Sequence, residues 1–254
     1  MSAEDPFALM ARHLPRSSED GGRRVSSFVA LGDSFTAGKG CAPGESWADR
    51  LAAAFRAGEP KLTYRNLAED GATSEAVLGQ VRPALQLEPD LATVICGAND
   101  VLRTVRPDVD RYARTLELIL DRLREGMPRV AILTATSPES WRFMELRPRT
   151  RTRVTDGIRR LNEATRAISA RRGVPCLDVV DHPGLADAAN FSPDGLHPSP
   201  AGHQRAAWEF TQVLRAEFGI DLEPSANPAT ADMGASPPRP PSRRPPPASE
   251  QEDQ

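Results

Sequence analysis

The stretch Val25-Ser26-Ser27-Phe28-Val29-Ala30-Leu31-Gly32-Asp33-Ser34-Phe35-Thr36-Ala37-Gly38 decides how the rest of the 254-residue chain is read. A β-branched and aromatic run ends in Gly-Asp-Ser and gives way to small and polar residues. A short apolar run bounded by glycine has the pattern of a buried strand of a parallel sheet. In open α/β sheets ligands bind outside the carboxyl ends of the strands, so Ser34 is expected to face solvent where sites form. Near a helix start its own N–H and others nearby are free to hold an anion, which suits a nucleophile. The same residues also fit a helix N-cap, a common role for short polar side chains. The stretch alone leaves both readings open.

Two neighbouring motifs are absent. The strand-to-helix elbow Gly-x-Ser-x-Gly needs glycine where Thr36 stands. A phosphate loop has four residues between its first glycine and Gly-Lys, then Ser or Thr. Here five residues separate Gly32 from Gly38-Lys39, and Gly40 follows, which argues against nucleotide binding.

A chain of this length, 39% hydrophobic and 26% charged, can bury one sizeable core. Its net charge of −3 gives no reason to expect nucleic acid or an anionic membrane as partner. Only Lys39 and Lys61 among the 32 basic residues are lysine. Cys41, Cys96 and Cys176 are odd in number and lack metal-ligand spacing; Cys96 and Cys176 lie in apolar runs as small core residues. No apolar stretch has the length of a signal core or a membrane span, so a soluble, reduced, cytoplasmic protein is expected.

Elements alternate along the chain. Residues 1 to about 23 are polar and aperiodic, a loose arm. Helix follows strand one over Glu45–Ala57, with Trp47, Leu51 and Phe55 in a stripe. Leu62–Leu67 is a short strand; Thr73–Val81 reads as a capped helix ending before Pro83. Leu91–Gly97 is the clearest core strand, and Asp108–Glu125 is amphipathic and closed by Gly126. Arg129–Ala135 is strand four, Ser137–Arg153 a loop over the site, Val154–Arg172 a helix, Val174–Val180 strand five and Ser199–Phe218 the last helix. This alternation predicts one domain over 24–222, a parallel sheet covered by helices on both faces. From 223 to 254 nine prolines with Ser, Ala and Arg form a tail that cannot build a core.

A serine nucleophile needs a base, and the base an orienting carboxylate. Of His13, His182, His197 and His203, only His197 has an acid three residues before it, in Ser192-Pro-Asp194-Gly-Leu-His197-Pro198. Gly195 lets one loop carry both groups, with Asp194 on Nδ1 and Nε2 facing Ser34. On its own this short pattern reads sooner as a turn with a solvated histidine. His203 falls in the first turn of the last helix and takes a structural role; His182 precedes proline with no evident partner. Strand three ends in Cys96-Gly-Ala-Asn99-Asp100, and Asn66-Leu-Ala-Glu-Asp-Gly71 follows strand two. Asn99 reads as an oxyanion donor or a helix cap, and Gly71 as a backbone donor or a turn.

Taken in order, Gly32-Asp33-Ser34, Asn66…Gly71, Gly97-Ala98-Asn99-Asp100 and Asp194-Gly-Leu-His197-Pro198 resemble the four blocks of the SGNH (GDSL-type) hydrolase superfamily, across about residues 25–219. Phe35 stands where the family name has leucine. The resemblance implies a flavodoxin-like three-layer α/β/α sandwich with a five-stranded parallel sheet. It also implies hydrolysis of a small-molecule ester or acyl group with no metal or other cofactor. By position it makes Ser34 the nucleophile, His197 the base and Asp194 its orienter, with Ser34 N–H, Gly71 N–H and the Asn99 side chain as oxyanion hole. Acyl transfer or deacetylation of a biosynthetic intermediate is the near alternative, and an idle binding or scaffold module the distant one.

Overall fold

The structure, a computed structural model, describes residues 23–139, 141 and 143–222. The tail from residue 223, and the N-terminal arm apart from Arg23, lie outside the described residues. Five strands, β1 (Ser27–Gly32), β2 (Thr63–Asn66), β3 (Leu91–Ile95), β4 (Ala131–Ala135) and β5 (Cys176–Leu177), form one sheet in the order β2-β1-β3-β4-β5, every pair parallel. This is the doubly wound order in which the connections diverge between β1 and β3 and open a crevice at the strands' carboxyl ends.

Alternate strand residues feed two cores, because successive side chains point to opposite faces. Val29, Leu31, Ala92, Val94 and Ile132 pack against α3 (Ser74–Leu85), α5 (Val109–Gly126) and α6 (Pro148–Arg172). Phe28, Ala30, Leu91, Ala131 and Leu133 pack against α2 (Trp47–Gly58) and α7 (Pro200–Phe218). Trp47 and Phe210 join the second core ring to ring, their centroids 4.2 Å apart. The three-layer sandwich expected from the sequence is therefore the observed one. Cys96 is buried as expected, Cys176 only half-buried, and all three cysteines are free. Among the described residues no helix is long and apolar enough to cross a membrane.

Three elements, α3, α6 and β5, differ from the sequence reading, each for a reason visible in its contacts. Pro83 lies inside α3, which runs on to Leu85; the carbonyl that its ring faces belongs to Gly79, and Ala84 remains buried in the core. The start of α3 is not capped by Thr73, whose side chain makes no capping bond. Instead the Asp100 carboxylate accepts from Ser74 N at 2.8 Å and Ser74 Oγ at 2.6 Å. Helix α6 begins at Pro148, six residues before Val154, with proline in the first turn. Its Arg-rich start has no apolar pattern; it is fastened by Arg151 to the carbonyls of Trp141 and Met144, and by Arg153 to those of Val101 and Thr104. Strand β5 has only two residues, because the ladder passes to side chains at Asp178. The Thr136 hydroxyl accepts from Val179 N at 2.9 Å and donates to Asp178.

Candidate active site

Ser34 opens a one-turn helix, α1 (Ser34–Ala37), at the end of β1. Asp33 is its N-cap and accepts from Phe35 N at 3.1 Å; Gly38, in the left-handed region at φ 90°, closes it. The cap reading therefore holds for Asp33 and leaves Ser34 free. Ser34 is less open than expected, 9% exposed, beneath the His197 ring. His197 Nε2 stands 3.0 Å from Ser34 Oγ, and Nδ1 stands 2.6 Å from Asp194 Oδ2. Asp194 Oδ1 also accepts from Leu196 N at 2.9 Å and His197 N at 3.0 Å. Desolvation pushes the Asp194 carboxyl up, but the bonds from the His197 ring and the two backbone N–H groups outweigh it, and its pKa is lowered. An ionised Asp194 fixes the proton on Nδ1, so Nε2 is left to accept from the serine hydroxyl.

The loop that carries Asp194 and His197 is held on three sides. Phe191 and Pro198 form an antiparallel bridge, and Ser192 N donates to His197 O at 2.7 Å. Gly40 of the loop after Ser34 lies so near Pro198 O that a Cβ would stand 2.2 Å from it. Gly195, at φ 67°, presses on the Phe143 carbonyl, again 2.2 Å from where a Cβ would be. The expected loop over the site thus packs onto the histidine loop, with the Phe143 and Phe191 rings 5.0 Å apart, while Trp141 turns into the core. His203 is buried and structural as expected, between Trp47 N at 3.3 Å and Lys39 O at 3.2 Å. His182, unassigned by sequence, pairs with Glu209 at 2.7 Å.

Asn99 and Gly71 reach the same sheet edge. Asn99 is the second residue of α4 (Ala98–Leu102), whose N-cap is Gly97, so the cap reading fails for Asn99. One of its amide N–H groups donates to Ala72 O at 3.0 Å, and among the described residues the other has no partner. Gly71 has φ 75°, and among the described residues neither its N–H nor that of Ser34 has a hydrogen-bond partner.

Three supporting residues were missed by sequence reasoning. Gln80 of α3 is buried and grips both sides of Gly32, accepting from its N–H at 2.9 Å and donating to its carbonyl at 3.0 Å. Asp100 fastens α3, as described above. Arg103 donates to Gly71 O at 2.6 Å. An amphipathic helix does not announce which of its polar residues turns inward, so only the pairing of Asn99 with Asp100 gave a signal.

Asp33 is buried beside the nucleophile, and burial, opposed by the Phe35 N–H and reinforced by Asp100, raises its pKa to about 7 from 3.8. Between those values the folded chain holds a proton that the unfolded chain releases, so this group's contribution to stability falls as pH rises from about 4 to about 7. Asp33→Asn keeps an acceptor for Phe35 N without the charge. The melting-temperature difference between the variant and wild type is expected to move in the variant's favour across that window. A constant difference from pH 4 to pH 8 would remove the shifted carboxyl.

The comparisons agree with this fold. Among solved structures, the psychrotrophic esterase EstA from Pseudoalteromonas sp. is 19% identical with a TM-score of 0.61, covering 77% of this chain and 100% of its own. The lipase/acylhydrolase from Enterococcus faecalis is 22% identical at 0.61, over 79% and 99%. A member of the lipolytic protein G-D-S-L family from Veillonella parvula is 18% identical at 0.58, over 74% and 97%. At such identities these likenesses speak for the fold alone. No curated protein sequence matches the chain. The family model of the GDSL-like lipase/acylhydrolases matches residues 30–205, a span that begins inside β1, ends in the first turns of α7 and takes in Ser34, Asn99 and His197. The chain therefore belongs to the GDSL-like lipase/acylhydrolase family and is, with it, a carboxylic ester hydrolase.

Proposed function

We propose that the protein cleaves small-molecule carboxylic esters through an acyl-enzyme on Ser34. The observation that carries this reading is the unbroken line from Ser34 Oγ through the His197 ring to the Asp194 carboxylate, at 3.0 and 2.6 Å. His197 Nε2 takes the hydroxyl proton as Oγ attacks the carbonyl carbon, and Asp194 stabilises the imidazolium that forms. The carbonyl oxygen gains negative charge between the N–H groups of Ser34 and Gly71 and the free amide N–H of Asn99. His197 returns the proton to the leaving alcohol. Water then enters by the same route, with His197 as base, and releases the acid. No step calls on a metal. The three free cysteines fit the same protein working in the reducing cytoplasm.

A panel of p-nitrophenyl esters from acetyl to palmitoyl, run beside a fluorophosphonate label, tests the proposal and measures the depth of the acyl site. Turnover on at least one chain length and covalent labelling of Ser34 are expected. Wild-type protein that is folded, inert on the whole panel and unlabelled would overturn it.

A further inference from the structure

We infer that Arg103 is a positioning residue for the oxyanion site, bracing Gly71 through its carbonyl so that the residue's N–H stays turned toward the reacting carbonyl. The inference rests on the proposed function. Gly71 is the weakest part of that site on physical grounds. It carries no side chain, sits at φ 75°, and its two soft dihedrals cost entropy to hold. Something outside the residue must fix it.

Helix α4 supplies three grips on the segment, all from residues within one and a half turns. Asn99 holds the carbonyl of Ala72 at 3.0 Å, Asp100 holds the N–H and hydroxyl of Ser74, and Arg103 holds the carbonyl of Gly71 at 2.6 Å. The first two fix the chain beyond residue 71. The third acts on the carbonyl of Gly71, whose peptide is also held through Ala72 N, donating to Glu69 O at 3.2 Å; the two bonds together fix ψ of Gly71, hence the setting of the residue whose N–H serves the oxyanion. The guanidinium is close enough that a Cβ at Gly71 would stand 3.0 Å from it.

Arg103 is exposed, yet it bonds a backbone carbonyl rather than a carboxylate. Two acids near the loop are already paired: Asp70 with Lys39 at 2.8 Å, and Glu75 with Arg111. The base of Arg103 is itself fixed, because its own N–H donates to Asn99 O at 3.2 Å and closes α4. Arg153 holds the next turn through the carbonyls of Val101 and Thr104. A long exposed side chain anchored at its root and bonded at its tip to one peptide is suited to alignment more than to fold stability.

The test compares Arg103→Met, Arg103→Lys and wild type on the p-nitrophenyl ester that wild type turns over best, with fluorophosphonate labelling rates and melting temperatures on the same samples. Arg103→Met is expected to lower kcat about tenfold, less than the loss of a direct oxyanion donor, with KM within about twofold. Labelling of Ser34 should slow by a similar factor and the melting temperature stay within about a degree. Arg103→Lys, which keeps a charged donor able to reach the carbonyl, should recover most of the rate. A kcat and labelling rate within about twofold of wild type in Arg103→Met would overturn the inference. So would a raised KM at unchanged kcat, which marks a substrate contact, or a rate loss that tracks a lowered melting temperature and is not rescued by lysine. Inactive, unlabelled wild-type protein would instead overturn the acyl-enzyme proposal, before Arg103 enters.

Discussion

Ser34→Ala is expected to lower kcat by about 10⁴- to 10⁶-fold and to abolish covalent labelling by a fluorophosphonate. The serine hydroxyl is the only group lost, and among the described residues its side-chain partner is His197 Nε2 at 3.0 Å. Both neighbours of that contact stay in place: Asp33 still caps the turn through Phe35 N, and Asp194 still holds the imidazole by Nδ1. The melting temperature should therefore move by no more than a degree or two, and substrate binding by little. Loss of rate with intact fold and intact KM separates a missing nucleophile from a damaged site. Labelling that persists in the alanine variant would put the nucleophile elsewhere and sink the assignment.

Asn99→Ala is expected to have the next largest effect, about 10²- to 10³-fold in kcat, because a donor aimed at developing charge acts mainly in the transition state. The amide has a second task. Its bond to Ala72 O at 3.0 Å helps hold the loop that carries Gly71, so the substitution should also cost about 1 kcal/mol of stability. The two effects separate in one sample: kcat per folded molecule reports the donor, and melting temperature reports the loop. Asn99→Asp gives a stricter check, since it keeps the shape, removes both N–H groups and adds a carboxylate where the oxyanion forms. It should be at least as slow as the alanine variant. A lowered melting temperature with near-normal kcat in Asn99→Ala would leave Asn99 as a loop anchor only.

Much of this arrangement was legible in the residues. Strands β1 and β3 are buried on both faces and read as unbroken apolar runs, and α2 and α5 carry stripes at helical spacing. The site groups were legible because each follows a strand or a stiff proline-flanked turn, which fixes where the side chain emerges. What stayed hidden depends on partners remote in sequence. The first turns of α6 carry arginines with no apolar period, and only the carbonyls that they meet explain the helix there. Gln80 looks like any polar residue of α3 until Gly32 is placed against it. Pro83 signals a helix end by its missing N–H, yet tertiary burial of Ala84 carries α3 past it. Strand β5 stops early because Asp178 and Thr136 bond through side chains, a choice that β propensity does not register.

The contact between Ser34 and His197 joins residues 163 positions apart, and it bears on when activity can arise during synthesis. Ribosomes add about 5 to 20 residues per second, so about 10 to 30 seconds pass between the serine and its base leaving the peptidyl-transferase centre. By the end of that interval the nascent chain holds the whole of β1, β3 and α5, but until then the serine lacks the proton acceptor that the proposed mechanism gives it. As the proposed nucleophile, Ser34 is then spared premature acylation while the core is still open. On the proposed mechanism, reactivity is thereby tied to the emergence of the His197 loop, and covalent labelling of Ser34 is expected to report synthesis past residue 197.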